Sequence, residues 1–284
     1  MDNTEKNKIE KSTLYLVGTP IGNLSDLSER AKKVLSEVDF IAAEDTRNSQ
    51  KLLSIFGIKN ELIAYHEHNR REAGERIAAR LAVGESCALI TDAGMPAISD
   101  PGEDIVRLCG ERGITVKAVP GPSASVTALA LSGLPTGRFA FEGFLPPKEK
   151  ARADRLRALL SEERTMIFYE APHRLRETLA AMCEAFGGER RASLSRELTK
   201  INEETERGTL GELCGIYEGR EPRGEYVIVV AGGHTEEDSS LLSLMPREHV
   251  EYYERAGLSR MDAIKAAAKD RGISKSEMYK LVVE

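Results

Sequence analysis

Five short apolar runs, each followed by a stretch of helical periodicity, fill the first 135 residues, and no other feature limits the possible folds as tightly. Residues 12–18 (STLYLVG), 39–44 (DFIAAE), 61–65 (ELIAY), 87–91 (CALIT) and 114–119 (ITVKAV) read as buried strands. Between the first two, Leu27, Ala31, Val34, Leu35 and Val38 recur at helical spacing, and similar segments separate the others. Strands alternating with helices through short, right-handed crossovers build a parallel, doubly wound sheet. Ligands of such sheets gather at the carboxyl ends of the strands. Four loops leave those ends: 19–24 (TPIGNL), 44–47 (EDTR), 92–102 (DAGMPAISDPG) and 120–125 (PGPSAS). Each combines Gly or Pro with hydroxyls or carboxylates. One alone reads equally well as an ordinary βα connection; four along one sheet suggest a binding edge. Within the longest, Ser99-Asp100-Pro101-Gly102 also supplies start signals for the helix that follows.

The pattern changes at Leu134-Pro135-Thr136-Gly137. Residues 139–145 (FAFEGFL) alternate aromatic and small, as in a half-buried strand. Further strands are expected at 165–169, 191–198 and 225–230, with helices at 148–160, from Pro172 to Phe186, and from 209. The last opens with a Thr-x-x-Glu capping box, Thr209 and Glu212. The polar segment 200–205 suggests an antiparallel pair, hence a mixed sheet. Near the end, Ser259 with Asp262 and Ser274 with Glu277 repeat the capping pattern on either side of Gly272-Ile273. That arrangement fits a helix-turn-helix or, equally, a small packing or dimerisation module. The expected organisation is α/β: a disordered tail over 1–12, a parallel-sheet domain over 13–137, a mixed-sheet domain over 138–235, a linker over 236–245, and a helical module over 246–284.

A chain of 284 residues suffices for two such cores. No apolar run approaches the roughly 20 residues that span a bilayer, so no membrane partner is expected. Residues 1–11 are polar and charged, without the apolar core of a signal peptide, which makes the cytoplasm the default location. Cys87, Cys109, Cys183 and Cys214 lie far apart within apolar segments and read as core thiols. The net charge of −6 argues against nonspecific coating of nucleic acid, yet leaves room for a local basic face.

Several chemistries lack their signatures. The first loop has no G-x-G-x-x-G, and Pro20 removes a backbone N–H that a phosphate cradle would use. Neither G-x-x-x-x-G-K-[ST], H-E-x-x-H nor G-x-S-x-G occurs. His66 and His68 would share one face of a strand, but no further ligands complete a metal site, and none is expected.

Together, TPIGNLSDLS (19–28), AAEDTRNSQKLL (42–53), ITDAGMPAISDPG (90–102), VPGPSASVTALALSGL (119–134), FEGFLP (141–146) and YEAPHRL (169–175) resemble the tetrapyrrole-methylase superfamily. More closely, they are similar to its ribosomal RNA small subunit methyltransferase I branch, in order through roughly residues 13–235. The first loop departs from the G-x-G-x-G of the porphyrin-modifying relatives, a departure that typifies the RNA branch. The resemblance implies S-adenosylmethionine as methyl donor, bound between two α/β domains of a homodimer. It also implies 2′-O-methylation of a cytidine ribose in the decoding region of 16S rRNA in the small ribosomal subunit. Carried over by position, the donor pocket would comprise Asp92, Ala93, Gly94, Met95, Pro96, Ser99, Asp100, Pro101, Ser123 and Ala124. Tyr169, Leu198 and Ala231 would contribute from the second domain.

A ribose hydroxyl is a weak nucleophile, so a proton acceptor beside it would help. Glu44, Asp45 and His66 are the candidates, although a local ion pair or helix cap explains Glu44–Arg47 as well. Candidate RNA contacts are Arg47, Arg70, Arg71, Lys148, Lys150, Arg152, His173 and Arg174, since phosphates need cations without overall basicity. A solvated helix face would account for any one of them. Phe139, Phe141 and Phe144 could stack on single-stranded bases or belong to the core. The competing functions are a porphyrinogen C-methyltransferase with the same donor and a non-catalytic RNA-binding protein.

Overall fold

The computed structural model describes residues 8–233, 241, 244–255, 257–271 and 273–283. Its first half contains β1 (Thr13–Val17), α1 (Glu29–Glu37), β2 (Phe40–Ala43), α2 (Thr46–Ile55), β3 (Leu62–Ala64), α3 (Arg70–Ala82), β4 (Cys87–Ile90), α4 (Glu103–Glu111), β5 (Thr115–Val119) and α5 (Ala124–Ser132). The five strands form one parallel sheet in the order β3-β2-β4-β1-β5. Every residue of β2 and β4 is buried, which is why those segments read as unbroken apolar runs rather than alternating ones. The period of two still sorts their side chains between faces. Ile41, Ala43, Ala88 and Ile90 join Leu27, Ala31, Val34, Leu35 and Leu53 on one face. Phe40, Ala42, Cys87 and Leu89 join Ala73, Ile77, Leu81, Ile105 and Cys109 on the other. The sheet is therefore doubly wound, as the alternation predicts.

The second half contains β6 (Phe139–Phe144), α6 (Glu149–Ala158), β7 (Thr165–Glu170), α7 (Leu175–Phe186), β8 (Arg191–Arg196), β9 (Glu204–Thr209), α8 (Leu210–Gly219) and β10 (Tyr226–Val230). Its sheet runs β6-β7-β10-β8-β9, with β6 and β7 parallel and the remaining pairs antiparallel. It is the expected mixed sheet, and β8 with β9 is the expected antiparallel pair. The Thr209–Glu212 capping box opens α8 with both of its hydrogen bonds formed.

One face of this sheet packs Met166, Phe168, Leu194 and Ile228 against α6, α7 and α8. The other face is covered from the first half. Ala128 and Leu129 of α5 lie with Leu134 on Ile167, Val227 and Val229. Helix α5 thus belongs to the first half by chain order and to the second sheet by packing, and it joins the two halves.

The terminal helices Pro246–Arg255, Arg260–Asp270 and Lys275–Val283 enclose a separate core that includes Val250, Ile264, Ala267, Met278 and Val282. Residues 1–7 of the expected tail lie outside the described residues, but Ile9 packs on the first core and Ser12 N–H donates to the Glu85 carbonyl. The ordered chain therefore begins before Thr13. Most of the expected linker, together with Gly272 of the expected turn, also lies outside the described residues. Cys87 and Cys109 are buried, Cys183 and Cys214 pack against the second core, and all four are free thiols. Among the described residues no helix is long and apolar enough to cross a membrane.

Candidate active site

The loops after β1, β4 and β5 are stitched to one another. Thr19 N–H donates to the Gly94 carbonyl at 2.9 Å, and Gly94 N–H returns the bond at 3.2 Å. The Thr19 hydroxyl also donates to the Thr91 carbonyl at 3.1 Å. Gly18 lies against Gly121 so closely that a Cβ on it would stand 2.6 Å from Gly121 Cα and 2.8 Å from Met95 Sδ. Gly18, just before the first loop, therefore serves close main-chain packing.

The loop after β4 folds back on itself through left-handed backbone at Gly94, Ala97, Ser99 and Gly102. Here the structure corrects one expectation. Gly102 is the N-cap of α4, and no side chain caps that helix. Ser99 and Asp100, which looked like helix-start residues, instead line a cavity.

That cavity, about 390 Å³ in volume, opens between the carboxyl edge of the first sheet and the second half of the chain. Asp92, Ala93, Gly94, Met95, Ser99, Asp100, Ser123, Ala124, Tyr169 and Leu198 are in its wall. Pro96 and Pro101 shape the same loop without lining it, and Ala231 lies beyond the end of β10, bonded to the Arg191 carbonyl. The wall also contains residues that sequence reasoning missed, among them Ile21, Ile98, Glu170, Glu197, Lys200 and Glu225. Nothing in a strand's own pattern tells which end of a mixed sheet faces a neighbouring domain, so those from the second half carried no signal. Tyr169 connects the halves, its hydroxyl accepting from Ser125 N–H at 3.2 Å. The rings of Phe141 and Phe144 stand edge-on to it, 5.0 and 5.6 Å between centroids. Phe141 belongs to the joint between halves, whereas Phe144 is exposed at the cavity and Phe139 is exposed on β6.

The electrostatics of this cavity are one-sided. Glu44, Asp92, Asp100, Glu197 and Glu225 line it against a single cation, Lys200, whose ammonium is 2.9 Å from Glu197 Oε1. Glu170 keeps its buried carboxyl on the far side of β7, accepting from the Thr178 hydroxyl and lying 3.6 Å from Arg174. Burial pushes the Asp100 carboxyl up to about 6, with Glu44 and Asp92 adding repulsion. Burial and then the Asp92 charge also raise Glu44. Such a cavity disfavours anions and favours a cationic ligand.

The three candidate proton acceptors separate. Glu44 is half-buried in the cavity wall. Asp45 is the N-cap of α2: Oδ1 accepts from Arg47 N–H at 2.8 Å and Asn48 N–H at 3.4 Å, and Oδ2 pairs with Arg47 at 3.1 Å. Hydrogen bonds from Arg47 hold its carboxyl below the usual range, which suits a helix cap. His66 acts on Glu44 electrostatically and is half-buried, with Nδ1 inaccessible and unpartnered. The His66 and His68 rings meet edge-on at 6.0 Å, and among the described residues no cluster of three or more His, Cys, Asp and Glu side chains could hold a metal.

The candidate RNA contacts also divide. Arg71, Lys148, Lys150 and His173 are exposed. Arg47 is exposed but paired with Asp45, and Arg70 is paired with Glu67 and Asp104. Arg152 and Arg174 turn inward, which removes them as surface contacts. Arg152 is only 6% exposed, 3.6 Å from Glu177, and Arg174 donates to the Leu145 carbonyl at 2.8 Å. On a helix whose cations outnumber its carboxylates, sequence alone does not tell which arginine points inward.

Comparison with known proteins adds to this geometry. The family profile described as Tetrapyrrole (Corrin/Porphyrin) Methylases matches residues 13–214. The chain is 47% identical to ribosomal RNA small subunit methyltransferase I of Halalkalibacterium halodurans, over 96% of this chain and 95% of that protein. It is 47% identical to the protein of the same name from Pseudomonas aeruginosa, over 96% and 97%, and 45% identical to that of Bacillus subtilis, over 96% and 94%. Among solved structures, uroporphyrin-III-C-methyltransferase from Thermus thermophilus aligns with a TM-score of 0.54 at 23% identity, covering 78% of this chain and 94% of its own. Diphthine synthase aligns with a TM-score of 0.58 at 14% identity, covering 77% and 89%. At those identities the likeness is one of fold.

Proposed function

The chain belongs to the tetrapyrrole (corrin/porphyrin) methylases, together with the ribosomal RNA small subunit methyltransferase I proteins, and on that premise we propose that it methylates 16S rRNA with S-adenosylmethionine as donor. The acceptor in this reading is the 2′-hydroxyl of a cytidine ribose in the decoding region of the small subunit. The enzyme works as a homodimer in the cytoplasm.

The observation that carries the reading is the cavity's excess of carboxylates, gathered where three loops converge on the joint between the halves. A sulfonium donor brings a fixed positive charge, and a carboxylate-rich wall suits it where it would repel a nucleotide phosphate. When bound, S-adenosylmethionine supplies an electrophilic methyl group. Asp92 and Asp100 hold the cationic end, while Ile21, Tyr169 and Leu198 furnish apolar wall for the rest. Main chain from Ala93 to Met95 and at Ser123-Ala124 closes around it, because those side chains are small or directed elsewhere. Holding hydroxyl and methyl in line accounts for most of the acceleration. Glu44 would take the hydroxyl proton as the new oxygen–carbon bond forms and the donor's sulfur–methyl bond breaks, the sulfur leaving as a neutral thioether. The desolvated Glu44 carboxyl binds a proton more readily than an exposed one does. Arg71, Lys148, Lys150 and His173 supply phosphate contacts on the rRNA, with Phe144 available for base stacking near the cavity.

The test supplies methyl-labelled donor with either undermethylated small subunits or a porphyrinogen. The expected result is label in the rRNA, recovered after digestion as 2′-O-methylcytidine. Label in the porphyrinogen, or in neither acceptor, would overturn the assignment. Size-exclusion chromatography with light scattering checks the dimer.

A further inference from the structure

A second cavity, about 200 Å³ in volume, lies against the first and shares Asp92 with it. Pro20, Gly22 and Leu24 of the first loop, Asn48, Ser49 and Leu52 of α2, and Thr91 just after β4 complete its walls. The donor reading leaves this cavity without a ligand, yet among the described residues it has one buried polar group without a partner and, on the exposed Asn48, one acceptor without a protein donor. Thr91 is 2% exposed, and its buried hydroxyl oxygen has no hydrogen-bond partner. Native interiors rarely leave such a group unpaired unless a ligand or water completes it.

Asn48 is the second. Its Nδ2 donates to Asp92 Oδ2 at 2.9 Å. An ionised carboxylate only accepts, so the amide cannot be turned around without facing oxygen to oxygen. Asn48 Oδ1 is therefore fixed as the free end, an acceptor to which nothing donates among the described residues. No cation lines the cavity, which excludes a phosphate, and Pro20, Leu24 and Leu52 provide flat apolar wall.

We propose that this cavity receives the base of the acceptor nucleotide, a pyrimidine carrying an exocyclic amino group, and that Asn48 reads that group. The assignment depends on the methyltransferase reading above. The amino group donates to Asn48 Oδ1, and the Thr91 hydroxyl bonds the polar edge of the ring. The cavity's size favours one ring over a fused pair. Uracil presents a carbonyl oxygen where cytosine presents the amino group, so two acceptors would meet. Cytosine is accepted and uracil refused at this point.

The experiment measures methyl transfer at saturating donor to small subunits carrying either cytidine or uridine at the acceptor position. Wild type is expected to favour cytidine by about 10-fold or more, and Asn48→Leu to bring the two rates within about 2-fold. Leu52→Trp, which fills the cavity, should lose transfer to both while binding labelled donor as wild type does. An undiminished cytidine preference in Asn48→Leu, or full transfer by Leu52→Trp, overturns the assignment. If Leu52→Trp fails to fold, seen as lost donor binding, the Asn48→Leu ratio decides. Wild type that transfers methyl to neither subunit overturns the methyltransferase reading itself, which separates the two failures.

Discussion

Lowering the pH from 7 to 5 should weaken donor binding about 10-fold in the wild type and hardly at all in Asp100→Asn. The Asp100 carboxyl titrates at about 6 in the fold, against 3.8 for the free side chain. It is thus about 90% ionised at pH 7 and about 10% ionised at pH 5, and a cation held by the ionised form loses affinity in that proportion. The protein's own stability runs the opposite way. Because the folded state holds this proton more tightly than the unfolded one, the contribution of Asp100 is most favourable below about pH 4. It is lost as pH rises through 6. The difference amounts to about 3 kcal/mol before allowing for partial exposure, and about 1–2 kcal/mol after it. Asp100→Asn should therefore raise the urea midpoint of the ligand-free protein at pH 7.5 while reducing donor affinity there. Isothermal titration with S-adenosylmethionine at pH 5, 6, 7 and 8, alongside urea melts at the same pH values, measures both. A wild-type affinity flat across pH 5–7, or an equal slope in Asp100→Asn, would refute the role of this carboxylate.

Gly18→Ala should lower stability by about 1–3 kcal/mol, because its methyl meets Gly121 main chain that cannot rotate away; thermal denaturation checks this. Glu44→Gln should slow methyl transfer at saturating RNA by about 10²-fold with donor binding retained, as expected of a lost proton acceptor. Asp45→Ala should instead keep its transfer rate and lower the urea midpoint, since what it removes is the cap of α2. His66→Ala joins that comparison, and a full rate would restrict the proton acceptor to Glu44. Replacing Arg71, Lys148 and Lys150 together by Ala should raise KM for small subunits and flatten its salt dependence, leaving donor affinity unchanged.

Much of this fold was legible because the signals were local and mutually consistent. The buried runs of β2 and β4, the capping box at Thr209, and the four loops at carboxyl strand ends all followed from spacing and residue type. What escaped depended on the third dimension. Asp45 has the same composition-level signature whether it is a base or a cap, and only the bonds from Arg47 and Asn48 decide. Ser99 and Asp100 looked like helix caps because hydroxyl and carboxylate side chains are good at that task, but Gly102 takes the position and frees them for the cavity. Arg174 looked like a surface cation until the Leu145 carbonyl claimed its guanidinium. The residues of the second half that line the cavity were invisible for a simpler reason. Their neighbours lie across a joint that no single segment encodes.

That joint limits how the molecule can breathe. Gly121 is pressed main chain to main chain against Gly18 of the first sheet, whereas Ala124 begins a helix seated on the second sheet. Only Pro122 and Ser123 lie between these anchorages, and the proline ring fixes one of their rotations. A wide swing of one half against the other would have to tear one seat loose. Traffic through the cavity is thus left to small movements of its rim, such as the exposed Ile98 and Phe144, over a foundation that stays put.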